Sequence, residues 1–343
     1  KLTKAIIRNT SSGKILAEGG NVLVTTATAV EALDNVINMR GIVDVSSVSV
    51  QGGKIVLSGG DATRVRVGGT LKSDGGTGGD VDVKGRSVRI QGDGKIMTGG
   101  GDITLQAQRR VRVTNGFADA EGGNIRVETG NGFEGIGSSL LTTGTGTIYI
   151  QQVNPDLNTI QNAIDAISNS GTGTNTIDVA EGTWVENLYI GTDNLVLNGA
   201  KVGVFGDDPS RDGTGETVVE AADNALDTIT VIANNVVIDG LTVTGGYDGI
   251  RGIFSPNLRV QNNIVHDTAS SGIDLTGSPD SVVAHNLVFN NGWDGIKADG
   301  ESNGISILFN KVENVARAGV SLIETASALV EGNDLSTLGM WGV

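Results

Sequence analysis

Charged side chains recur at a fixed spacing in the last third of the chain. Arg251, Asp274 and Lys297 are 23 residues apart, and each directly follows a Gly-Ile pair. If residues one period apart are stacked, these side chains lie about 5 Å from one another, close enough for opposite charges to pair. One interpretation is enzymatic, with Lys297 or Arg251 as a general base at the C5 proton of an acidic sugar and with Asp274, Asp294 and Asp299 holding Ca²⁺.

The other interpretation of this column is a solvated row of charges without catalytic function. We favour it because the sequence lacks the signatures expected of a lyase or epimerase, such as an Asp-Pro-His-Glu run or a His-containing catalytic strand. An enzyme is therefore not the leading expectation, and we expect no cofactor unless the alternative with bound Ca²⁺ holds.

Aromatic residues form a second column in the same region. Tyr247, Trp293 and Met340 share one position of the period, and Trp341 lies next to it. Aromatic rings on a surface stack on the apolar faces of sugars, so Tyr247, Trp293 and Trp341 are candidate carbohydrate contacts. The same rings could instead pack under a loop.

The period itself predicts the elements that position these residues. Gly-Ile or Gly-Val pairs begin at 249, 272, 295, 319 and 342, and the four residues Asn263, Asn286, Asn310 and Asn333 keep the same step. Repeats of 22–24 residues with short alternating apolar runs predict an all-β, right-handed parallel β-helix in which each coil pairs with its neighbours. We interpret the asparagines as an internal structural ladder and expect them to adopt the left-handed backbone conformation at a turn.

The first half of the chain shows a looser form of the repeat. Val65-Arg66-Val67, Val88-Arg89-Ile90 and Val111-Arg112-Val113 recur every 23 residues as triplets with two apolar side chains inward and one polar side chain outward. Ile160, Ala163, Ile164 and Ile167 form an apolar stripe that predicts one short helix near 158–169, with Asn158 as its N-cap and Gly171 after its end. The run 206–215 has no strand pattern and predicts an exposed loop.

These patterns divide the chain into three parts. We expect a β-helix over 1–150, a junction with the short capping helix over 151–176 and β-helix repeats over 177–343. The last residues fall in register with the start of a coil that is not completed, so we expect a segment of a longer protein.

Composition limits the classes of partner. The formal net charge is -15, which argues against nucleic acid and against anionic membrane surfaces. No apolar run approaches the roughly 20 residues that span a bilayer, so we expect no membrane insertion in this segment. The chain has no cysteine, which excludes disulfides, thiolate metal sites and a cysteine nucleophile.

The first 150 residues carry one resemblance. Ser-Gly-Lys-Ile-Leu-Ala-Glu-Gly-Gly-Asn-Val-Leu-Val at 12–24, Leu-Asp-Asn-Val-Ile-Asn at 33–38, Gly-Ile-Val at 41–43 and Gly-Lys-Ile-Val-Leu-Ser-Gly-Gly at 53–60 resemble filamentous-haemagglutinin-like exoproteins of two-partner secretion. That resemblance implies a long right-handed β-helix, secreted or held at the bacterial outer cell surface, with a function in adhesion, aggregation or biofilm contact.

The remaining chain carries a second resemblance. Thr-Ile-Gln-Asn-Ala-Ile-Asp-Ala at 159–166, Ile-Asp-Val-Ala-Glu-Gly-Thr-Trp-Val-Glu-Asn-Leu at 177–188 and the Gly-Ile coils resemble the pectin-lyase-like β-helix superfamily. That fold includes polysaccharide lyases, hydrolases and epimerases, so it implies architecture more securely than activity.

The leading hypothesis is a non-enzymatic β-helix segment of a very large bacterial surface or secreted protein that acts as an adhesin or filament scaffold. Its expected partners are glycans or proteins of a host, a neighbouring cell or a matrix, together with self-association into filaments. The alternatives are a polysaccharide lyase or C5-epimerase acting on acidic glycans, and a carbohydrate-binding module without turnover.

Overall fold

The computed structural model describes residues 6–17, 21–26, 35–44, 53–59, 63–74, 78–135, 139–153 and 159–339. The chain forms two compact units, Lys1–Asn158 with Asn162–Ile177, and Thr159–Gln161 with Asp178–Val343. Within the described ranges, no helix is both long and apolar enough to cross a membrane.

Short strands build the first unit, and they pair in parallel with strands of neighbouring coils. One sheet runs in the order β17-β15-β12-β10-β8-β5-β2, and the other strands form a second sheet. The strands are β1 (Ile6–Asn9), β2 (Lys14–Leu16), β3 (Val22–Thr26), β4 (Asn35–Met39), β5 (Ile42–Asp44), β6 (Ile55–Gly59), β7 (Thr63–Val67), β8 (Thr70–Ser73), β9 (Val81–Gln91), β10 (Lys95–Thr98), β11 (Ile103–Thr114), β12 (Phe117–Asp119), β13 (Ile125–Thr129), β14 (Gly132–Gly135), β15 (Leu140–Thr142), β16 (Ile148–Val153) and β17 (Ile167–Asn169).

The second unit has three strands in each regular coil, and each strand belongs to a different parallel sheet. Helix α1 (Ile160–Ala166) and β18 (Asn175–Val179) contain residues of both units. The remaining strands are β19 (Gly182–Val185), β20 (Leu188–Ile190), β21 (Leu195–Asn198), β22 (Thr217–Glu220), β23 (Ile229–Val231), β24 (Val237–Asp239), β25 (Leu241–Thr244), β26 (Ile250–Ile253), β27 (Arg259–Gln261), β28 (Ile264–His266), β29 (Ile273–Thr276), β30 (Val282–Ala284), β31 (Leu287–Phe289), β32 (Ile296–Asp299), β33 (Ser306–Leu308), β34 (Lys311–Val315), β35 (Val320–Leu322), β36 (Leu329–Glu331) and β37 (Asp334–Leu338).

The predicted right-handed parallel β-helix is confirmed. Ile250 pairs with Ile273, Ile273 with Ile296, and Ile296 with Val320, and all four side chains are fully buried. Successive side chains of a strand point to opposite faces, so burial of these positions places the residue that follows each of them on the outer face. Each buried aliphatic side chain contributes about 1.5–3 kcal/mol relative to an exposed one.

The four asparagines lie in one column at the start of the sheet that contains β28, β31 and β34. Asn263 donates its backbone N–H and its side-chain N–H to Oδ1 of Asn286, and Asn286 does the same to Asn310. Asn310 repeats the pattern with Asn333. The ladder therefore satisfies polar groups that are buried between coils.

The prediction that these asparagines adopt the left-handed backbone conformation was wrong, and the position is off by one residue. The left-handed conformation falls on the residue before each of them, with φ values of 58° at Asn262, 56° at His285 and 53° at Phe309. The chain turns at that preceding residue, which leaves each ladder side chain free to point inward and bond along the axis.

The short helix is present, but it is shorter than 158–169. α1 ends at Ala166 because Ile167 begins β17, which pairs with Leu140 of β15. Its first two described N–H groups, those of Ile160 and Gln161, donate to the carboxylate of Glu186, which caps the helix start. The predicted N-cap, residue 158, lies outside the described residues.

The loop 206–215 is only partly exposed. Its residue Arg211 is buried, and the guanidinium Nε donates to Oε1 of Glu216 at 2.7 Å. Nη1 donates to the carbonyl oxygens of Asn262 and Val204, and Nη2 donates to that of Leu241. An arginine in a polar loop can reach the interior in this way when every buried donor finds an acceptor.

Candidate functional site

A cleft lies on the outer face of one sheet of the second unit. The sheet runs in the order β20-β23-β26-β29-β32-β35, and we call it the groove sheet. The cleft has a volume of about 380 Å³. Its lining includes Tyr247, Asp248, Arg251, Asp274, Trp293 and Lys297.

The floor of this cleft consists of the outward side chains of Arg251, Asp274 and Lys297, which we call the charged floor. Their outward direction follows from the alternation of side chains along each strand. Arg251 pairs in register with Asp274, and Asp274 with Lys297, so the three side chains form one column. The sequence spacing had predicted this neighbourhood, and the charge alternates from one coil to the next. Opposite charges directly across a strand pair attract one another.

Lys297 is held by two carboxylates. Its Nζ lies 3.0 Å from Oδ2 of Asp274 and 2.6 Å from Oδ2 of Asp299. Burial opposes its charged form, but hydrogen bonds and charge from Asp299 and Asp274 outweigh burial and raise the pKa of Lys297 above its ordinary value. A general base must be unprotonated, so this environment disfavours Lys297 in that role at neutral pH.

Arg251 lies at the edge of the same charged group. Its Nη1 is 3.8 Å from a carboxylate oxygen of Asp227 and 4.0 Å from one of Asp248. Asp248 is almost completely buried and accepts a hydrogen bond from the backbone N–H of Ser271 at 2.8 Å. The sequence analysis missed Asp227 and Asp248. The aromatic-Asp-Gly-Ile pattern shared by 247–250 and 293–296 was the signal that marked Asp248.

The carboxylates proposed as calcium ligands do not converge. Asp274 and Asp299 share Lys297, whereas Asp294 accepts hydrogen bonds from Nε of Arg317 at 2.7 Å and from the backbone N–H of Ala318. Across the described ranges, no group of three or more acidic or histidine side chains is arranged to hold a metal ion. The geometry therefore gives the calcium hypothesis no support.

Two aromatic rings stand beside the charged floor. Tyr247 is 50% exposed and Trp293 is 49% exposed. The backbone places them two coils apart, because Ser270 donates its N–H to the carbonyl of Tyr247 and Trp293 donates its N–H to the carbonyl of Ser270. Adjacent strands are about 4.8 Å apart, so the two ring positions are separated by about 10 Å along the axis. Met340 and Trp341 lie outside the described residues.

Arg317 fixes one of these rings. Its guanidinium lies 4.9 Å from the centre of the Trp293 ring and also bonds the buried carboxylate of Asp294. This cation–π contact orients the indole while half of its surface stays accessible. The Trp293 ring is therefore held in position, and both Tyr247 and Trp293 stay half-exposed.

Burial of Asp248 predicts a pH dependence of stability. Burial, as the largest cause, together with the nearby charges of Asp274 and Asp227, raises the pKa of Asp248 above its ordinary value of 3.8, against the hydrogen bond from Ser271. A carboxyl group with a raised pKa stabilises the fold while it is protonated, and that contribution is lost as the pH rises through the folded-state pKa. We expect Asp248→Asn to raise the thermal unfolding midpoint at pH 7 relative to the unmodified chain and to leave it nearly unchanged near pH 3, below the ordinary pKa of 3.8.

Asp208→Asn is the control, because the pKa of Asp208 is shifted in the opposite direction from that of Asp248. Hydrogen bonds from Ser210 hold the pKa of the Asp208 carboxyl below its ordinary value, so its stabilisation is present at neutral pH and is lost as the pH falls. Scanning calorimetry between pH 2 and pH 7 gives both differences, because the Asp208 contribution is lost only below its ordinary pKa of 3.8. A lower midpoint for Asp248→Asn at pH 7 would contradict the burial argument.

A match to a family model agrees with the architecture of the second unit. Residues 192–335 match the family model described as "Right handed beta helix region". Among solved structures, the Azotobacter vinelandii mannuronan C-5 epimerase AlgE6 A-module matches with a TM-score of 0.36 and 15% sequence identity, over 95% of this chain and 91% of that chain. No curated protein matches the sequence. The solved structure is too distant for its activity to be transferred to this chain.

Proposed function

We propose that this chain is a non-enzymatic β-helix segment that binds glycans through the cleft on the groove sheet, as part of a secreted or cell-surface bacterial adhesin. The observation that carries this proposal is the pair of half-exposed rings, Tyr247 and Trp293, at one position of the coil and two coils apart. Aromatic faces stack on the apolar faces of sugars, and the charged floor beside the rings offers hydrogen-bond partners for sugar hydroxyls.

The charges on the floor support binding without turnover. Lys297 is hydrogen-bonded to Asp274 and paired with Asp299, and its raised pKa keeps it protonated at neutral pH. Proton abstraction from a sugar carbon would need a base that is unprotonated at the working pH. The same ion pairs hold the floor side chains in fixed positions, which suits recognition.

The adhesin context comes from the sequence resemblance in residues 1–150. In that context, individually weak glycan contacts add up when many copies or many coils engage one surface. Surface display, partners on host cells, neighbouring cells or matrix, and assembly into filaments are predictions that accompany the proposal.

Removal of Trp293 tests the site. We expect Trp293→Ala to weaken glycan binding by about tenfold or more, since one stacked ring contributes roughly 1–3 kcal/mol. Affinity electrophoresis against a panel of immobilised polysaccharides identifies the ligand, and titration calorimetry then measures the loss. Tyr247→Ala should act in the same direction.

Phe205→Ala is the matched control because it removes a ring of similar exposure that stacks on His285 and does not line the cleft. Its affinity should stay within about twofold of the unmodified chain. Equal affinity for Trp293→Ala and the unmodified chain would refute the cleft as the binding site. Unsaturated or epimerised uronate products that disappear with Lys297→Ala would instead establish the enzymatic alternative.

A further inference from the structure

Arginine side chains are concentrated on one face of the first unit. Seven of the fourteen arginines in the sequence line a single surface cavity of about 500 Å³. They are Arg64, Arg66, Arg86, Arg89, Arg109, Arg110 and Arg112, and we call them the arginine cluster. The lining contains no acidic residue, although the whole chain has a formal charge of -15.

Strand register stacks three of these residues directly. Arg66 of β7 pairs in register with Arg89 of β9, and Arg89 pairs with Arg112 of β11. A register shift between Ala107 and Arg110 of β11 leaves residues 108–110 exposed, which adds Arg109 and Arg110 to the same face. A β-bulge redirects side chains in this way.

The stacked arginines are electrostatically unfavourable on their own. Like charges directly opposite each other in a sheet destabilise it, and at 4–5 Å the repulsion is about 1 kcal/mol per pair even in water. Within the described residues, Arg66, Arg86 and Arg89 have no ion pair, and the buried Nε atoms of Arg89 and Arg112 have no hydrogen-bond partner. Glutamine or threonine at these outward positions would form the same strands without that repulsion.

The end of the arginine column shows that these guanidinium groups bind a carboxylate. Glu134 of β14 follows Arg112 in register, and its carboxylate contacts the guanidinium groups of both Arg112 and Arg110. One and two coils away from Arg112, Arg89 and Arg66 offer the same donors without a neighbouring carboxylate in the column. An external oxyanion at that level would repeat the Glu134 contact.

From this arrangement we infer that the arginine cluster is a binding site for a linear acidic polysaccharide that carries one carboxylate or sulfate group per sugar. The arginine column repeats at the strand separation of about 4.8 Å, which is close to the rise of one sugar in an extended pyranose chain. The carboxylates of an extended acidic peptide repeat at about 3.3 Å per residue, or at roughly 6.6 Å on one face, and neither spacing matches the column. Single-stranded nucleic acid is bound with aromatic stacking platforms, and the cavity lining has no aromatic residue.

The test uses the full chain and a double variant, Arg66→Gln with Arg89→Gln. Titration calorimetry against polygalacturonate and against cellulose sulfate with about one sulfate per sugar should show binding by the unmodified chain, and the ratio of the two affinities identifies the preferred oxyanion. We expect the affinity of the double variant to be lower by a factor of about ten or more, because each charged hydrogen bond contributes roughly 1.5–3 kcal/mol. Binding should also weaken with added salt and strengthen from uronate dimers to longer oligomers.

A second readout separates ligand binding from a structural role. Removal of two stacked like charges should raise the unfolding midpoint of the unliganded double variant, whereas added polyanion should raise the midpoint more in the unmodified chain than in the double variant. Arg126→Gln is the matched control because Arg126 is exposed, pairs with Glu128 and lies outside the cavity lining. Its affinity should stay within about twofold of the unmodified chain.

Several results would overturn the inference. They are no binding of either acidic polysaccharide, unchanged binding by the double variant, a lower midpoint of the unliganded variant, and tighter binding of poly-L-glutamate or of an oligothymidylate. Trp293→Ala should keep its affinity for the acidic polymers at this cluster, so the outcome is independent of the cleft on the groove sheet.

Discussion

Replacement of Arg211 with alanine is expected to lower the free energy of unfolding of the second unit by about 3–5 kcal/mol. The substitution leaves the carboxylate of Glu216 buried without its cation, since the two side chains are 0% and 2% exposed. It also removes the donors to the carbonyl oxygens of Val204, Leu241 and Asn262. An unpaired buried charge and several unsatisfied acceptors each lower the free energy of unfolding.

Urea unfolding followed by tryptophan fluorescence measures this effect. Trp184 and Trp293 lie in the second unit, and no tryptophan precedes residue 184 in the sequence, so the emission reports on that unit. Lys311→Ala is the control, because Lys311 lies in the same unit and its ion pair with Glu313 is about one-third exposed, so that it contributes less than about 1 kcal/mol. A loss below about 1 kcal/mol for Arg211→Ala would contradict the buried ion pair.

Replacement of Asn286 with leucine is expected to lower the free energy of unfolding by about 3 kcal/mol or more. Asn286 accepts hydrogen bonds from Asn263 and donates to Asn310 and to the carbonyl of Val260. Leucine has a similar size but leaves these buried partners unsatisfied, and each costs about 1–3 kcal/mol. The side chain is 1% exposed, so water cannot replace the lost partners.

Asn234→Ala is the matched control for the ladder. Its side chain is exposed and, among the described residues, bonds only to Asp193, so the free energy of unfolding should change by about 0.5 kcal/mol or less. The same urea titration measures both variants. Similar losses for Asn286→Leu and Asn234→Ala would show that the buried ladder does not stabilise the coils.

The sequence was sufficient to predict which residues are neighbours in the regular coils. Residues one period apart in a parallel β-helix are in register, so the spacing of Arg251, Asp274 and Lys297 predicted their column before any coordinates. The same logic placed Tyr247 and Trp293 together. The arginine triplets were also visible in the sequence, but we interpreted them only as strand alternation, and the like charge of Arg66, Arg89 and Arg112 was the signal that we did not use.

Contacts made outside the regular coils could not be predicted in this way. Arg211 reaches acceptors at 204, 216, 241 and 262 from an irregular loop, and no period relates these positions. The end of α1 likewise depends on the pairing of Ile167 with Leu140, which competes with the helical pattern of its own segment. Local pattern therefore predicted the coils, and tertiary contacts determined the exceptions.

The asparagine ladder has a consequence for how this chain can vary in length. Leu241 donates its N–H to Asn263 in the same way that Asn263 donates to Asn286. Deletion of the 23 residues from 263 to 285 would therefore bring Leu241 to Asn286 with an equivalent bond. Gene duplication or unequal recombination in whole coils can shorten or extend such a chain, whereas an insertion or deletion of another size must be accommodated in a loop such as 199–216.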